Sequence, residues 1–141
     1  MLEHKIMTGK AQGAIRAVER RRQVLVVDDK MAVRDILSRI LSSWGYHVTA
    51  AGNGLQGATL FITGSYDLVI TDLEMPLMDG WELSRLIKKQ SPNTPVILVT
   101  GLCEDRHWEQ INTSCIDAII LKPFDLHEIE KTIQRLWNSG A

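Results

Sequence analysis

The stretch Val24-Leu-Val-Val-Asp-Asp29 is the strongest indication of the fold of this 141-residue chain. Four apolar residues, three of them β-branched, form an unbroken run that ends abruptly at two aspartates. A run without alternation is typical of a strand that is buried on both faces, as the central strands of parallel sheets are. The segment therefore predicts a central parallel strand with two carboxylates at its carboxyl end.

The residues that follow this strand carry a helical pattern. From Met31 onward, apolar side chains recur at intervals of three and four residues, and Gly45 ends the run. These side chains are Val33, Ile36, Leu37, Ile40, Leu41 and Trp44. The strand thus leads directly into a helix, as it does in a parallel α/β unit.

The same alternation repeats along the rest of the chain. Further strands are predicted over Tyr46–Ala51, Tyr66–Thr71, Val96–Thr100 and Ile116–Leu121. Further helices are predicted over Leu55–Thr63, Trp81–Gln90, about Glu104–Asn112, and from an Asp125–Glu128 capping box to near Gly140. The final helix is expected to bury Leu126, Ile129, Ile133, Leu136 and Trp137. Five strands and five helices predict an α/β fold, a doubly wound parallel sheet covered by helices on both faces.

Length and charge suggest one domain preceded by a tail. The chain is 45% hydrophobic and has a net charge of −1, but its charges are unevenly distributed. Residues 1–22 carry six basic and two acidic residues, whereas residues 23–141 carry ten basic and fifteen acidic residues. We therefore predict a basic N-terminal tail or linker at 1–22 and an acidic domain at 23–141. Because an acidic surface releases few counterions from nucleic acid, direct nucleic-acid binding by this domain is not expected.

Signals for membranes, secretion and metal-binding cysteines are weak. The apolar runs are far shorter than the roughly 18 residues of a membrane span, and residues 1–10 lack the apolar core of a signal peptide. We expect a cytoplasmic chain with no membrane segment. Cys103 and Cys115 are expected to be reduced thiols. Together with His107 they lack the CxxC pair and the fourth ligand that a zinc site requires.

The tail leaves several hypotheses open. Its apolar residues Ala11, Ala14, Ile15 and Val18 match one helical face, and a triplet of arginines, Arg20–Arg22, follows them. Such a segment suits a short helix for homodimer contacts, or a basic strip that touches a kinase or an anionic surface. Two glycines and a polar start favour a frayed linker.

Polar residues gather at the predicted carboxyl ends of the strands, where ligands of doubly wound sheets bind. They are Asp28, Asp29, Asp72, Thr100 and Lys122. Crowded carboxylates repel and raise one another's pKa unless a cation lies among them, and Mg²⁺ prefers oxygen ligands of this kind. One carboxylate is then available to attack phosphorus, while the hydroxyl and the ammonium group balance charge. Each residue alone has an ordinary structural role, but together they predict a Mg²⁺-dependent phosphoryl-transfer site.

Four motifs in this order resemble the receiver domain of two-component response regulators. They are Val24-Leu-Val-Val-Asp-Asp29, Asp72-Leu-Glu-Met-Pro-Leu-Met-Asp-Gly80, Leu98-Val-Thr-Gly101 and Leu121-Lys-Pro-Phe124. The resemblance covers about residues 23–139. It implies a flavodoxin-like five-stranded sheet in the order 2-1-3-4-5. It also implies that a histidine kinase or histidine phosphotransfer protein donates a phosphoryl group to an aspartate.

The resemblance assigns roles to the site residues. Asp72 matches the phosphoacceptor. Asp28 and Asp29 match the acidic pair that holds Mg²⁺, with the Asp72 carboxylate and the backbone carbonyl of Glu74 as further metal contacts. Glu74 also occupies a position that tunes the lifetime of the phosphoryl group.

The resemblance also implies a conformational switch. Thr100 matches the hydroxyl that moves toward the phosphoryl group, and Lys122 matches the lysine that pairs with it. The Lys122–Pro123 bond is expected to be cis. Phosphorylation would shift two loops and the face formed by the predicted fourth helix, the last strand and the final helix. Ile119 stands where many receivers have an aromatic residue that swings inward, and an isoleucine brings neither a hydroxyl group nor a ring to the surface.

Three classes of function follow. The first is a non-enzymatic phosphoacceptor that acts on a downstream protein target or a fused output domain. The second is a receiver-like module that docks to a partner constitutively, with a weakened switch. The third is a turnover phosphatase with an aspartate nucleophile, which Asp72-Leu-Glu74 disfavours because the usual second aspartate is missing.

Overall fold

A five-stranded parallel sheet forms the centre of the computed structural model, which describes residues 21–101 and 115–139. The strands are β1 (Gln23–Val27), β2 (His47–Ala51), β3 (Leu68–Thr71), β4 (Val96–Thr100) and β5 (Ala118–Leu121). The described helices are α1 (Met31–Ser43), α2 (Gly54–Thr63), α3 (Gly80–Gln90) and α4 (Leu126–Asn138). All neighbouring strands are parallel, in the order β2-β1-β3-β4-β5. The predicted flavodoxin-like sheet is confirmed.

The unbroken apolar run of β1 is explained by burial on both faces of the sheet. Val24 and Val26 pack in a cluster with residues of α1 and α4, whereas Leu25 and Val27 pack in a second cluster with residues of α2 and α3. All four side chains are at most 1% exposed. Because successive strand residues point to opposite faces, a strand between two helical layers needs an apolar residue at every position.

Strand register aligns the residues that matter at the carboxyl edge of the sheet. Val27 pairs with Thr71, so Asp28 and Asp72 leave adjacent strands at the same level. The Asp72 amide donates to the Val27 carbonyl at 2.9 Å. On the other side of the sheet, Thr100 pairs with Leu121, which places Lys122 one residue beyond the end of β5.

Two helix ends are fixed by local sequence signals. Gly45 has φ +96°, its amide donates to the Ser42 carbonyl, and the next amide donates to the Leu41 carbonyl, which together form a Schellman motif after α1. The helix stop predicted at Gly45 is confirmed. At the start of α3, the Asp79 carboxylate accepts from the Glu82 amide at 2.8 Å and the Glu82 side chain accepts from the Asp79 amide at 3.2 Å. This capping box starts α3 at Gly80, one residue before the helix predicted over Trp81–Gln90.

Several boundaries and burial predictions are wrong. Strands β3 and β5 each begin two residues later than predicted. Asp67 and Asp117, just before these strands, accept with their carboxylates from the amides that begin β1 and β4. Ile36 and Leu126 were expected inside but are 49% and 46% exposed. Both lie at the margin of an amphipathic stripe, where periodicity does not decide burial.

The N-cap of α4 is only partly as predicted. The Asp125 side chain accepts from the His127 amide at 2.9 Å. The predicted reciprocal bond from Glu128 is not among the cap bonds of this helix, although Glu128 does lie in the first turn. An acidic side chain there still interacts favourably with the helix dipole.

Some predictions fall outside the residues that the structure describes. These are the helix at about Glu104–Asn112, the arrangement of residues 1–20, and the cysteine and zinc interpretations that involve Cys103 and His107. Within the described ranges, none of the helices has the length and apolar character needed to span a bilayer.

Candidate functional site

Three carboxylates meet at the carboxyl edge of the sheet. Oxygen atoms of Asp28, Asp29 and Asp72 all lie within 4.8 Å of one another. Asp28 and Asp72 are 2% and 6% exposed, whereas the Asp29 side chain is 31% exposed. The three carboxylates predicted from the ends of the first and third strands are therefore brought together, with one of them open to solvent.

Lys122 is the cation that faces this cluster. Its Nζ donates to Asp28 Oδ2 at 3.0 Å and lies 3.4 Å from Asp72 Oδ2. The Lys122–Pro123 bond is cis, as the resemblance implied. The resemblance pairs this lysine with a phosphoryl group on Asp72; in the structure Asp28 is a closer partner. A residue 94 positions away in the chain gives no local sequence signal for such a contact.

Both the backbone and the side chain of Asp28 make hydrogen bonds. Its amide donates to the Ala51 carbonyl at 3.1 Å, and its carbonyl accepts from Arg34 Nη1 at 2.8 Å. Its Oδ1 accepts from the Lys30 amide at 2.9 Å, a bond to a residue two positions on, typical of an Asx turn. With Lys122 on Oδ2, the buried Asp28 carboxylate has a partner for each oxygen, as buried charge requires.

Asp72 is the carboxyl group whose protonation the fold perturbs. Burial raises the pKa of Asp72; the nearby Asp28 carboxylate also raises it, whereas Lys122 and the bond from the Leu73 amide lower it. That amide donates to Asp72 Oδ1 at 2.8 Å. Oδ2, which faces Lys122, is therefore the oxygen that the backbone does not hold.

The backbone around Asp72 is closely packed against the start of α3. The Gly80 amide donates to the Leu73 carbonyl at 2.8 Å. A Cβ atom at Gly80 would collide with the Asp72 carbonyl oxygen, so only glycine allows this approach. The loop between β3 and α3 is thus anchored at both ends beside the candidate phosphoacceptor.

Thr100 and Glu74 border the same open cleft. Its volume is about 440 Å³, and its lining residues include Asp29, Asp72, Glu74, Thr100 and Lys122. Thr100 is fully buried and Glu74 is exposed. The structure therefore brings these five predicted residues to one cleft, and Asp28 lies beside it in contact with Lys122. The roles of Thr100 and Glu74 stay predictions.

The donor set fits a hard divalent cation. Three carboxylates supply the oxygen ligands that Mg²⁺ prefers, and the solvent-exposed side of the cleft leaves room for water ligands. Burial, and to a smaller extent the Asp28 carboxylate, raises the pKa of Asp72, so a cation bound beside it would favour its ionised form. Asp28, Asp29 and Asp72 are the residues that would hold such an ion, with the Glu74 carbonyl as a predicted fourth contact.

Ile119 lies away from this cleft. Its side chain is 39% exposed and borders a different cavity, lined by residues of α4 that include Glu128, Lys131 and Arg135. The predicted switch position therefore contributes to a surface rather than to the site. Whether it responds to phosphorylation stays a prediction.

Trp81 packs beneath the site and was not assigned a role by the sequence. Its half-buried ring contacts the cluster of Leu73, Leu98 and Ile116, and Arg85 lies 5.6 Å from the ring centroid. Its Nε1 is buried without a hydrogen-bond acceptor among the described residues. The two described tryptophans that were predicted to face the core, Trp44 and Trp137, do pack against the main hydrophobic cluster.

Comparison with known proteins points to one family. The sequence profile of the response regulator receiver domain matches residues 24–134. The transcriptional regulatory protein CusR of Escherichia coli is 31% identical over 119 residues, which is 84% of this chain and 52% of CusR. The autoinducer 1 sensor kinase/phosphatase LuxN of Vibrio harveyi is 32% identical over 118 residues, which is 84% of this chain and 14% of LuxN. The chain thus spans about half the length of CusR and much less of LuxN.

A solved structure gives the same result. The response regulator protein TrrA of Thermotoga maritima, in complex with Mg²⁺ and BeF, is similar with a TM-score of 0.75 and 32% identity. The match covers 82% of this chain and 98% of TrrA. The similarity therefore extends over almost the whole of that protein.

Proposed function

The chain belongs to the response regulator receiver domain family, and we propose that it accepts a phosphoryl group on Asp72 in a Mg²⁺-dependent reaction. The observation that carries the proposal is the cluster of Asp28, Asp29 and Asp72 with Lys122 at its side. Positioning and charge neutralisation are what phosphoryl transfer requires, and this cluster supplies both.

In the proposed reaction an Asp72 oxygen attacks the phosphorus atom of a phosphohistidine. The new P–O bond forms as the P–N bond breaks, and the imidazole leaves with the bonding electrons and takes up a proton. The attacking carboxylate must be ionised, and Lys122, 3.4 Å from Oδ2, favours the ionised form. A bound Mg²⁺ would supply charge neutralisation for the phosphoryl oxygens.

The residues around Asp72 divide the remaining work. The Leu73 amide holds Oδ1 and so fixes the direction of the carboxylate. Lys122 and Thr100 would bind the oxygens of the transferred group, and the arrival of a dianion would draw Lys122 away from Asp28. Such a change of partner at the end of β5 is an electrostatic event that loops around the site can transmit.

We propose a histidine kinase or a histidine phosphotransfer protein as the donor. The output would come from a downstream protein target or a fused output domain, because CusR is a transcriptional regulator and LuxN a sensor kinase with the same domain. Cytoplasmic location and the absence of direct nucleic-acid binding by this domain remain parts of the proposal, as does stoichiometric acceptance without enzymatic turnover.

Phosphoryl incorporation tests the function directly. Wild-type protein incubated with Mg²⁺ and acetyl phosphate should gain one acid-labile phosphoryl group, detected as a mass increase of the intact chain. Asp72→Asn should gain none, and chelation of Mg²⁺ should abolish labelling of the wild type. Asp117→Asn is the matched control, because Asp117 lies at the opposite end of the sheet and should leave labelling unchanged.

Two results would overturn the proposal. Stoichiometric labelling of Asp72→Asn would exclude Asp72 as the acceptor. Many turnovers of a phosphate ester per protein molecule would instead favour the phosphatase interpretation.

A constitutive docking module is the second candidate. The observation that favours it is Ile119, an exposed aliphatic residue beside the charged cavity of α4, in place of an aromatic residue that reports phosphorylation. A kinase or target that binds with equal affinity in the presence and absence of Mg²⁺ and beryllofluoride would support docking. Affinity that changes severalfold with beryllofluoride would support the switch.

A further inference from the structure

Arg34 contacts the candidate site without lining its cleft. This half-buried residue lies in the first turns of α1, and its Nη1 donates to the carbonyl oxygen of Asp28 at 2.8 Å. A guanidinium group bonded to a backbone carbonyl gives a strong, directional hydrogen bond. The bond therefore fixes a backbone group and leaves the carboxylates of the site to other partners.

The bonded carbonyl belongs to the peptide plane that joins Asp28 to Asp29. Fixing this plane fixes the direction in which the chain enters Asp29. The Asp29 carboxylate has little else to hold it. Among the described residues it lies near one cation, Lys30, at 3.9 Å, which is too long for a hydrogen bond. The position of Asp29 in the carboxylate cluster is therefore set chiefly by its backbone.

The neighbouring loop leaves space for the guanidinium group. A Cβ atom built on Gly52 would lie 3.3 Å from Arg34 Nη1, closer than most real Cβ contacts. The Gly52 amide donates to Gln56 Oε1 at 2.7 Å, which fixes the loop between β2 and α2 next to Arg34. The absence of a side chain at Gly52 thus serves the placement of Arg34.

We propose that Arg34 is a positioning residue, which orients the Asp28–Asp29 peptide so that the Asp29 carboxylate joins the Asp28 carboxylate in the cluster that would hold a divalent cation. This inference rests on the proposed Mg²⁺-dependent function. It assigns Arg34 a task that its charge alone opposes, because a positive group near the cluster repels a divalent cation. A purely electrostatic role predicts that removal of the charge tightens Mg²⁺ binding, whereas a positioning role predicts that it weakens binding.

Calorimetric titration with MgCl₂ separates the two roles. We expect Arg34→Gln to weaken Mg²⁺ binding about 10-fold to 100-fold, the usual effect of losing a group that orients metal ligands. Gly52→Ala keeps every charge but crowds the guanidinium group, and it should weaken binding in the same direction by a smaller factor. The matched control is Arg39→Gln, which removes the same charge from an exposed position of α1 and should leave the affinity nearly unchanged.

A second measurement reads the peptide itself. The Asp29 amide shares a plane with the Asp28 carbonyl, so its ¹H–¹⁵N chemical shift should move in Arg34→Gln and stay in place in Arg39→Gln. A role confined to global stability would not produce this local shift at a temperature where all variants are folded. If Arg34→Gln fails to fold, Gly52→Ala alone decides through its Mg²⁺ affinity.

The outcomes are distinct. Unchanged or tighter Mg²⁺ binding by Arg34→Gln, or by Gly52→Ala where it is the deciding variant, overturns the positioning role. Equal weakening in Arg39→Gln overturns it as well. Failure of the wild-type protein to bind Mg²⁺ would count against the proposed function itself, whereas wild-type binding with an indifferent Arg34→Gln would count only against this inference.

Discussion

Carboxylates at the two ends of the sheet are used in opposite ways. At the amino end, Asp117 accepts from the Val96 amide at 2.8 Å and from Lys88 Nζ at 2.7 Å, and Asp67 accepts from the Gln23 amide at 2.7 Å. These aspartates are exposed, lie apart in sequence and tie the starts of neighbouring strands together.

At the carboxyl end, Asp28 and Asp72 are buried side by side, and one lysine serves both. There, burial and a neighbouring like charge raise the pKa of Asp72. The residue type therefore does not distinguish a structural carboxylate from a functional one. A functional carboxylate is distinguished by burial and by crowding with other carboxylates without enough positive charge nearby. Such an arrangement costs stability unless a bound ligand compensates the negative charge.

Removal of the lysine at each end should give the largest contrast. Lys122→Met leaves two buried carboxylates without a cation, and we expect a loss of about 3 kcal/mol in the free energy of unfolding. Lys88→Met removes a partly exposed partner of Asp117, which keeps its bond to the Val96 amide, so the expected loss is about 1 kcal/mol. Urea unfolding without divalent cations measures both.

Mg²⁺ provides the control for this contrast. Added Mg²⁺ should restore part of the stability that Lys122→Met loses, because the ion binds the folded carboxylate cluster. It should restore none of the stability that Lys88→Met loses. Equal losses of unfolding free energy in the two variants, with no response to Mg²⁺, would mean that the carboxylates at the two ends of the sheet do not differ in their need for positive charge.

Removal of an amino-end carboxylate should destabilise the protein by an intermediate amount. Asp117→Ala loses the bonds to Lys88 and to the Val96 amide, and we expect a loss of about 2 kcal/mol in the free energy of unfolding. Mg²⁺ affinity should stay at the wild-type value, because Asp117 lies at the far end of β5 from the cleft. A substantial change in Mg²⁺ affinity would break the separation between the two ends.

Removal of the Asp72 charge should have a smaller effect of opposite sign. Asp72→Asn keeps the acceptor for the Leu73 amide but removes a buried charge next to Asp28, and we expect a gain of about 1 kcal/mol at neutral pH without Mg²⁺. Thermal unfolding of the two proteins between pH 3 and pH 8 measures the gain.

The gain in stability from Asp72→Asn should depend on pH. Because burial raises the pKa of Asp72 in the native protein above its ordinary value, native Asp72 holds its proton more tightly than the unfolded chain does. The favourable contribution of this tighter proton binding to the stability of the native protein is fully present below the pKa of Asp72 in the unfolded chain. It is lost as pH rises through the pKa of Asp72 in the native protein. The stability difference between Asp72→Asn and wild type should therefore grow across that window and then level off. A difference that does not change with pH would contradict the raised pKa.

Much of the fold was predictable because β1 and α1 have patterns that fit only one environment each. The apolar run of Val24–Val27 requires burial on both faces, and the Gly45 stop follows from its positive φ. Predictions failed where a residue lies at the margin of a pattern. Ile36 is apolar and lies near the core stripe of α1, yet it is 49% exposed. Periodicity gives the direction of a side chain but not how far the neighbouring elements extend over it.

The candidate site was predictable to the level of its members. Asp28, Asp72 and Lys122 each follow a strand, and parallel strands end at one edge. Their pairing was not predictable. No local sequence pattern indicates that Lys122 bonds Asp28 more closely than it approaches Asp72, or that Arg34 donates to a backbone carbonyl. These contacts depend on side-chain directions after the elements have packed.

By itself, the sequence determined which residues come to the carboxyl edge, because alternation, helical periodicity and turn signals are local and specify element order. The balance of charge at that edge follows from the positions of the side chains after the elements have packed. That balance depends on the 3.0 Å between Lys122 and Asp28, the 3.4 Å between Lys122 and Asp72, and the burial of both carboxylates. Electrostatic energies vary with distance and solvent exposure, and neither is contained in local sequence.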